Sequence, residues 1–161
     1  MTEGIPVVRM YTDSSGHTRF AKMQIPVKIK TGLGSVGMFS SLLVNQNLED
    51  NTGDLKTQFA VTPIPDNLEG EGPKLAHTAP RKQLVLTLSG CLEFKSCGVA
   101  SEDLEHKVVI RRGDILLAED LEGAGHVWQF VESSDGNLYP WVRCYIHLGE
   151  EYEHFVSQLV P

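Results

Sequence analysis

Turn-forming residues interrupt this chain so often that every apolar run is short, and a short run bounded by turns is the mark of a β-strand. The runs are GIPVVRMY, FAKMQIPVKIK, MFSSLLVN, TQFAVTPI, KQLVLTLS, CLEFKS, KVVIRRGDILLAE, HVWQFVES and PWVRCYIHL, and Gly, Pro, Asn, Asp or Ser separates most of them. β-Branched and aromatic residues dominate them, as a pleated, half-buried surface requires. Nine candidate strands in 161 residues predict one all-β domain, a sandwich or barrel, with no linker to divide it. Residues 45–54 (NQNLEDNTGD) and 65–74 (PDNLEGEGPK) are polar, acidic and rich in turn formers, and read as loops. In the tail, Tyr152, Phe155, Val156 and Leu159 have the spacing of a short amphipathic helix docked on a sheet.

Composition narrows the partners. Acidic residues outnumber basic ones, 21 to 14, so the net charge of −7 repels the phosphate backbone of nucleic acid. No apolar stretch reaches the length of a membrane span, and the N-terminus lacks the apolar core of a signal peptide. Three cysteines, Cys91, Cys97 and Cys144, cannot all pair with one another, and read as reduced thiols in a cytosolic protein. The glycines of GLGSVG (residues 32–37) precede no helical pattern, which rejects a phosphate-binding loop.

The chemistry concentrates between residues 77 and 126. His77-Thr-Ala-Pro-Arg-Lys-Gln83 leads through LVLTLS to Gly90, and VVIRRGDILLAEDLEGAGH ends on His126. These segments resemble the two signature blocks of the cupin superfamily, in particular a branch of small single-domain cupins. His77 matches the first block's first histidine, Ala79 its second, Gln83 its glutamate and Gly90 its last glycine. Gly113, Asp114 and His126 match the second block. The resemblance implies a cupin-type β-barrel (a double-stranded β-helix or jelly roll), a small-molecule substrate in its interior, and a homodimer paired through edge strands. It also implies a divalent metal, Zn, Ni, Mn or Fe, on His77, Gln83 and His126. This chain departs from the pattern at two of those positions: Ala79 ligates nothing, and Gln83 offers a neutral oxygen where the family has a carboxylate. Glu119 and Asp120, at the end of an apolar strand just before the turn to His126, are the carboxylates available to such a site.

Two chemistries follow. With a metal, the site activates a carbonyl or carboxylate oxygen, or oxygen itself on iron. Without one, His77 or His126 beside Glu119 or Asp120 moves a proton. Lyase, isomerase, decarboxylase and dioxygenase activities all remain open, as does a non-catalytic protein that binds a metabolite or a partner. Alternation places Trp128 and Phe130 on the face of His126, as walls of an aromatic pocket. Arg81 is a fork for an acidic substrate, against the plainer reading of an exposed charge. Tyr145 is a further wall candidate, although apolar-in patterning puts Arg143, Tyr145 and His147 on the outside and Val142, Cys144 and Ile146 within.

Overall fold

A computed structural model describes residues 4–26, 28–30, 34–36, 57–66, 76–99, 105–149 and 152–161. The MFSSLLVN run and residues 45–54 lie outside the described residues, as do all but Pro65 and Asp66 of the second polar stretch. The strands are β1 (Gly4–Thr12), β2 (Thr18–Pro26), β3 (Lys28–Lys30), β4 (Gly34–Val36), β5 (Thr57–Thr62) and β6 (Gln83–Ser89). They continue as β7 (Cys91–Ser96), β8 (Lys107–Arg111), β9 (Ile115–Ala118), β10 (His126–Phe130) and β11 (Trp141–His147), followed by helix α1 (Tyr152–Ser157). The chain is therefore all-β with one short C-terminal helix. Among the described residues no helix is long and apolar enough to cross a membrane.

One sheet has the order β2-β1-β9-β6-β11-β5 and a second the order β10-β7-β8, with β3 and β4 as a separate ribbon. Among the described residues these ladders do not join into one closed barrel. The segment KVVIRRGDILLAE, expected as a single strand, is two strands in different sheets. The cause is the turn at residues 111–114, where Asp114 accepts the Arg111 N–H at 2.7 Å and returns its own N–H to the Arg111 carbonyl at 2.9 Å. FAKMQIPVKIK is likewise divided, with β2 ending at Pro26. Another crossing between sheets is at Gly90, whose φ of 97° suits glycine. A Cβ there would stand 3.0 Å from Trp141 Cα and 3.1 Å from the Pro140 carbonyl oxygen, so the corner depends on the missing side chain.

Alternation along the large sheet makes two apolar layers. One face carries Met10, Phe20, Val85, Leu116, Ala118 and Trp141, which pack with Leu92, Phe94 and Ile110 of the small sheet. The other carries Val7, Ile25, Leu84 and Leu117, which pack under Leu148, Tyr152 and Phe155 of the tail. The helix thus forms where the tail's spacing predicted it, with Tyr152 and Phe155 buried and Val156 and Leu159 at the margin. Burying a phenylalanine as fully as Phe155 contributes about 1.5–3 kcal/mol. Because both faces of the sheet are covered, apolar alternation on β11 does not mark the interior, which is why Arg143 and Tyr145 face inward while Ile146 meets the helix layer.

Candidate functional site

Between the sheets lies a cavity of about 300 Å³. Its walls are Met10, Val85, Phe94, Leu116, Ala118, Trp128 and Trp141, and its polar groups come from His77, Gln83, His126, Arg143 and Tyr145. His77 and His126 are brought together by two backbone hydrogen bonds: His77 N–H donates to the His126 carbonyl (3.1 Å) and His126 N–H to the His77 carbonyl (2.9 Å). Gly125, with φ 71°, permits this approach, since a Cβ on it would fall 2.5 Å from the His77 carbonyl oxygen. The two imidazole rings lie 4.5 Å apart between centroids, tilted by 55°. Phe94 also packs on His126, with its ring centroid 5.6 Å from that of the imidazole.

Behind His126 sits Asp120, fully buried, with its Oδ2 2.7 Å from His126 Nδ1. The same oxygen accepts the Thr18 hydroxyl at 3.0 Å, and Oδ1 accepts the Ala79 N–H at 3.3 Å. A carboxylate that accepts on both oxygens requires a donor from the imidazole, so Nδ1 carries a proton and Nε2 is the nitrogen this contact leaves unengaged. Thr18 and the Ala79 amide fix the carboxylate, the carboxylate fixes the ring, and the ring lines the cavity.

The two neighbouring acids have been separated by alternation. Leu116, Ala118 and Asp120 face the cavity side, whereas Glu119 shares a face with Ile115 and Leu117 and meets the helix layer. Glu119 Oε1 accepts from Arg9 Nε at 2.7 Å, and Oε2 accepts the Tyr152 hydroxyl at 2.5 Å. Burial and this carboxylate push the Tyr152 hydroxyl up to about 12. Glu119 is therefore a tie between sheet and tail, and does not line the cavity.

The remaining residues read from the sequence divide similarly. Gln83 and Trp128 line the cavity. Phe130 packs edge-on against Trp128 at 5.7 Å and belongs to the core beside the cavity without lining it. Arg81 is not a lining residue; its guanidinium reaches His147 Nδ1 at 3.5 Å. Arg143 lines the cavity together with Tyr145. Trp141 and Arg143 were legible only through Tyr145: three residues at alternate positions share a face, so a Tyr145 that faces inward brings the other two with it.

Among the described residues, the donors that face the cavity do not fit a divalent metal. Among the described residues no three His, Cys, Asp or Glu side chains form a group suited to one. Ala79 removes the third imidazole, Gln83 is uncharged, and both oxygens of Asp120 are already engaged, one of them by the ring that would have to ligate. The chain matches no family model, no curated protein and no solved structure.

Proposed function

We propose that this protein is a small-molecule enzyme of the cupin type, which moves a proton on a polar or anionic metabolite held in the cavity. His126 is the acid–base group and Asp120 its positioning partner. The observation that carries this reading is the buried 2.7 Å contact between the two, at the wall of a cavity with otherwise mainly apolar sides. As His126 Nε2 takes a proton from the substrate, Asp120 stabilises the imidazolium that forms and holds the ring in place. The apolar walls strengthen that interaction, because little water competes for either charge. His77 adds a second imidazole within ring contact of the first. No step requires a metal.

The same reading takes the two facing sheets as a cupin-like barrel and the protein as a homodimer. The exposed Phe59 and Val61 of edge strand β5 support the latter. Free Cys91, Cys97 and Cys144 support a reducing compartment such as the cytoplasm. Ala79, which breaks the ligand pattern, is the observation that favours the alternative of a protein that binds its metabolite without transforming it.

Chelator-treated protein in D₂O, mixed with a panel of 2-oxo and 3-oxo acids, tests the proposal. Proton-transfer chemistry appears in the ¹H spectrum as loss of a carbon-bound hydrogen next to the carbonyl of at least one acid. His126→Ala is expected to slow that exchange by about 10²- to 10⁴-fold. Binding with no exchange in any member of the panel supports the non-catalytic alternative, and exchange undiminished in His126→Ala removes His126 from the chemistry.

A further inference from the structure

We infer that the cavity takes a carboxylic acid lengthwise, with the carboxylate on Arg143 and Tyr145 and a second polar group on Gln83. The inference rests on reading the cavity as a substrate site, and it names the class of substrate. Arg143 is a cation in a mainly apolar wall. Its Nε donates to the Tyr145 hydroxyl at 2.5 Å, and Nη1 to Thr62 Oγ1 at 2.8 Å and the Trp141 carbonyl at 3.3 Å. The guanidinium carbon lies 3.8 Å from the centroid of the Trp141 ring. All of these partners are neutral, and among the described residues neither a carboxylate for the charge nor an acceptor for Nη2 is present. A planar guanidinium held by neutral groups in apolar surroundings is completed by an anion that presents an oxygen to its remaining edge. Tyr145 adds to this. Its oxygen accepts from Arg143, which leaves its own hydrogen to donate to the same anion.

The other end of the cavity is marked by Gln83. The residue is 5% exposed and lines the cavity. Its amide therefore offers the cavity's contents both a donor and an acceptor. The strand register gives the separation. Arg143 stands opposite Thr87 and His147 opposite Gln83, so Gln83 is four residues along β6 from the partner of Arg143, about 13 Å at the strand rise. Gln83 also stands opposite Ala118, two residues before Asp120, which sets it at the acid–base end. Between the ends the register places Val85 opposite Tyr145, and Trp128, Trp141 and Phe94 line the same cavity. A ligand that satisfies all three regions is an organic acid with an apolar or ring-shaped middle, its carboxylate at one end and a hydroxyl or carbonyl at the other. That second group is the one brought to His126.

Both tryptophans of the chain, Trp128 and Trp141, line this cavity, so intrinsic fluorescence reports its occupancy. The probes are 4-hydroxycyclohexanecarboxylate, its carboxamide and cyclohexanecarboxylate, none of which absorbs where tryptophan is excited. The hydroxy acid is expected to bind saturably, and both the amide, without the charge, and the acid without the hydroxyl about tenfold more weakly or worse. Arg143→Gln is expected to abolish the preference for acid over amide, while Arg143→Lys, which keeps the charge, retains part of it. Circular dichroism checks that each variant is folded. Equal binding of acid and amide overturns the inference, as does failure of every probe to bind, or an undiminished preference in folded Arg143→Gln. The two readings fail separately. Carbon–hydrogen exchange with no acid preference removes only the carboxylate clamp, and a preference dependent on Arg143 with no exchange removes only the proton-transfer chemistry.

Discussion

Asp120→Ala is expected to lower the free energy of unfolding by about 3–5 kcal/mol, because it strands two buried donors and removes one of the two acceptors of a third. The Thr18 hydroxyl, the His126 Nδ1–H and part of the Ala79 N–H all terminate on this one carboxylate, and Asp120 itself has no exposed surface. Asp120→Asn keeps the volume but replaces one acceptor oxygen with a donor nitrogen. The substitution therefore conflicts with at least one of the three donors, and the expected loss is smaller, about 1–3 kcal/mol. Urea unfolding of the two variants beside the wild type provides the comparison. A loss below about 1 kcal/mol for Asp120→Ala, the level of an ordinary exposed substitution, contradicts the network described here.

Glu119→Ala is expected to cost about 2–4 kcal/mol while leaving the cavity's chemistry unchanged. Its carboxylate ties Arg9 on β1 to Tyr152 on α1, and the side chain is 5% exposed against 30% for Arg9, so water screens the ion pair only from one side. The variant loosens the tail from the sheet, which hydrogen exchange at residues 152–157 detects. The pH dependence has a definite sign. The Tyr152 pKa is raised in the folded state, so its contribution to stability is present below about pH 10 and is lost as pH rises through about 12. Removal of Glu119 shifts that loss to lower pH. If Glu119→Ala instead stops carbon–hydrogen exchange with stability intact, Glu119 belongs to the chemistry and not to the tail.

Much of this arrangement is legible in the chain before any coordinates. The alternation of apolar residues and the turn formers between them identify the strands, and the spacing of Tyr152, Phe155, Val156 and Leu159 identifies the helix. Cavity positions for His77, Gln83 and His126 follow from motif spacing and that of Trp128 from alternation, whereas the end of the apolar strand offers Glu119 and Asp120 without choosing between them. Arg143 escapes the same logic for a physical reason. The rule that apolar residues point inward assumes one wet face, and β11 has none, because α1 covers the side opposite the cavity. Glu119 and Asp120 illustrate the limit from another direction. Adjacent residues on a strand point to opposite faces, but only the pairing of β9 with β1 and β6 decides which of the two stands behind His126. The division of KVVIRRGDILLAE between two sheets is likewise decided by a turn that also appears in uninterrupted hairpins.

The central claim is that Asp120 holds the Nδ1 proton of a buried His126 and leaves Nε2 to act as the base. Two-dimensional ¹H–¹⁵N NMR of the imidazole nitrogens tests this most directly. The account predicts a downfield proton on His126 Nδ1 that exchanges slowly with water, a neutral ring with its lone pair on Nε2, and loss of that signal in Asp120→Ala. A His126 ring protonated on Nε2 alone, or one whose protons exchange as fast as those of an exposed histidine, contradicts it.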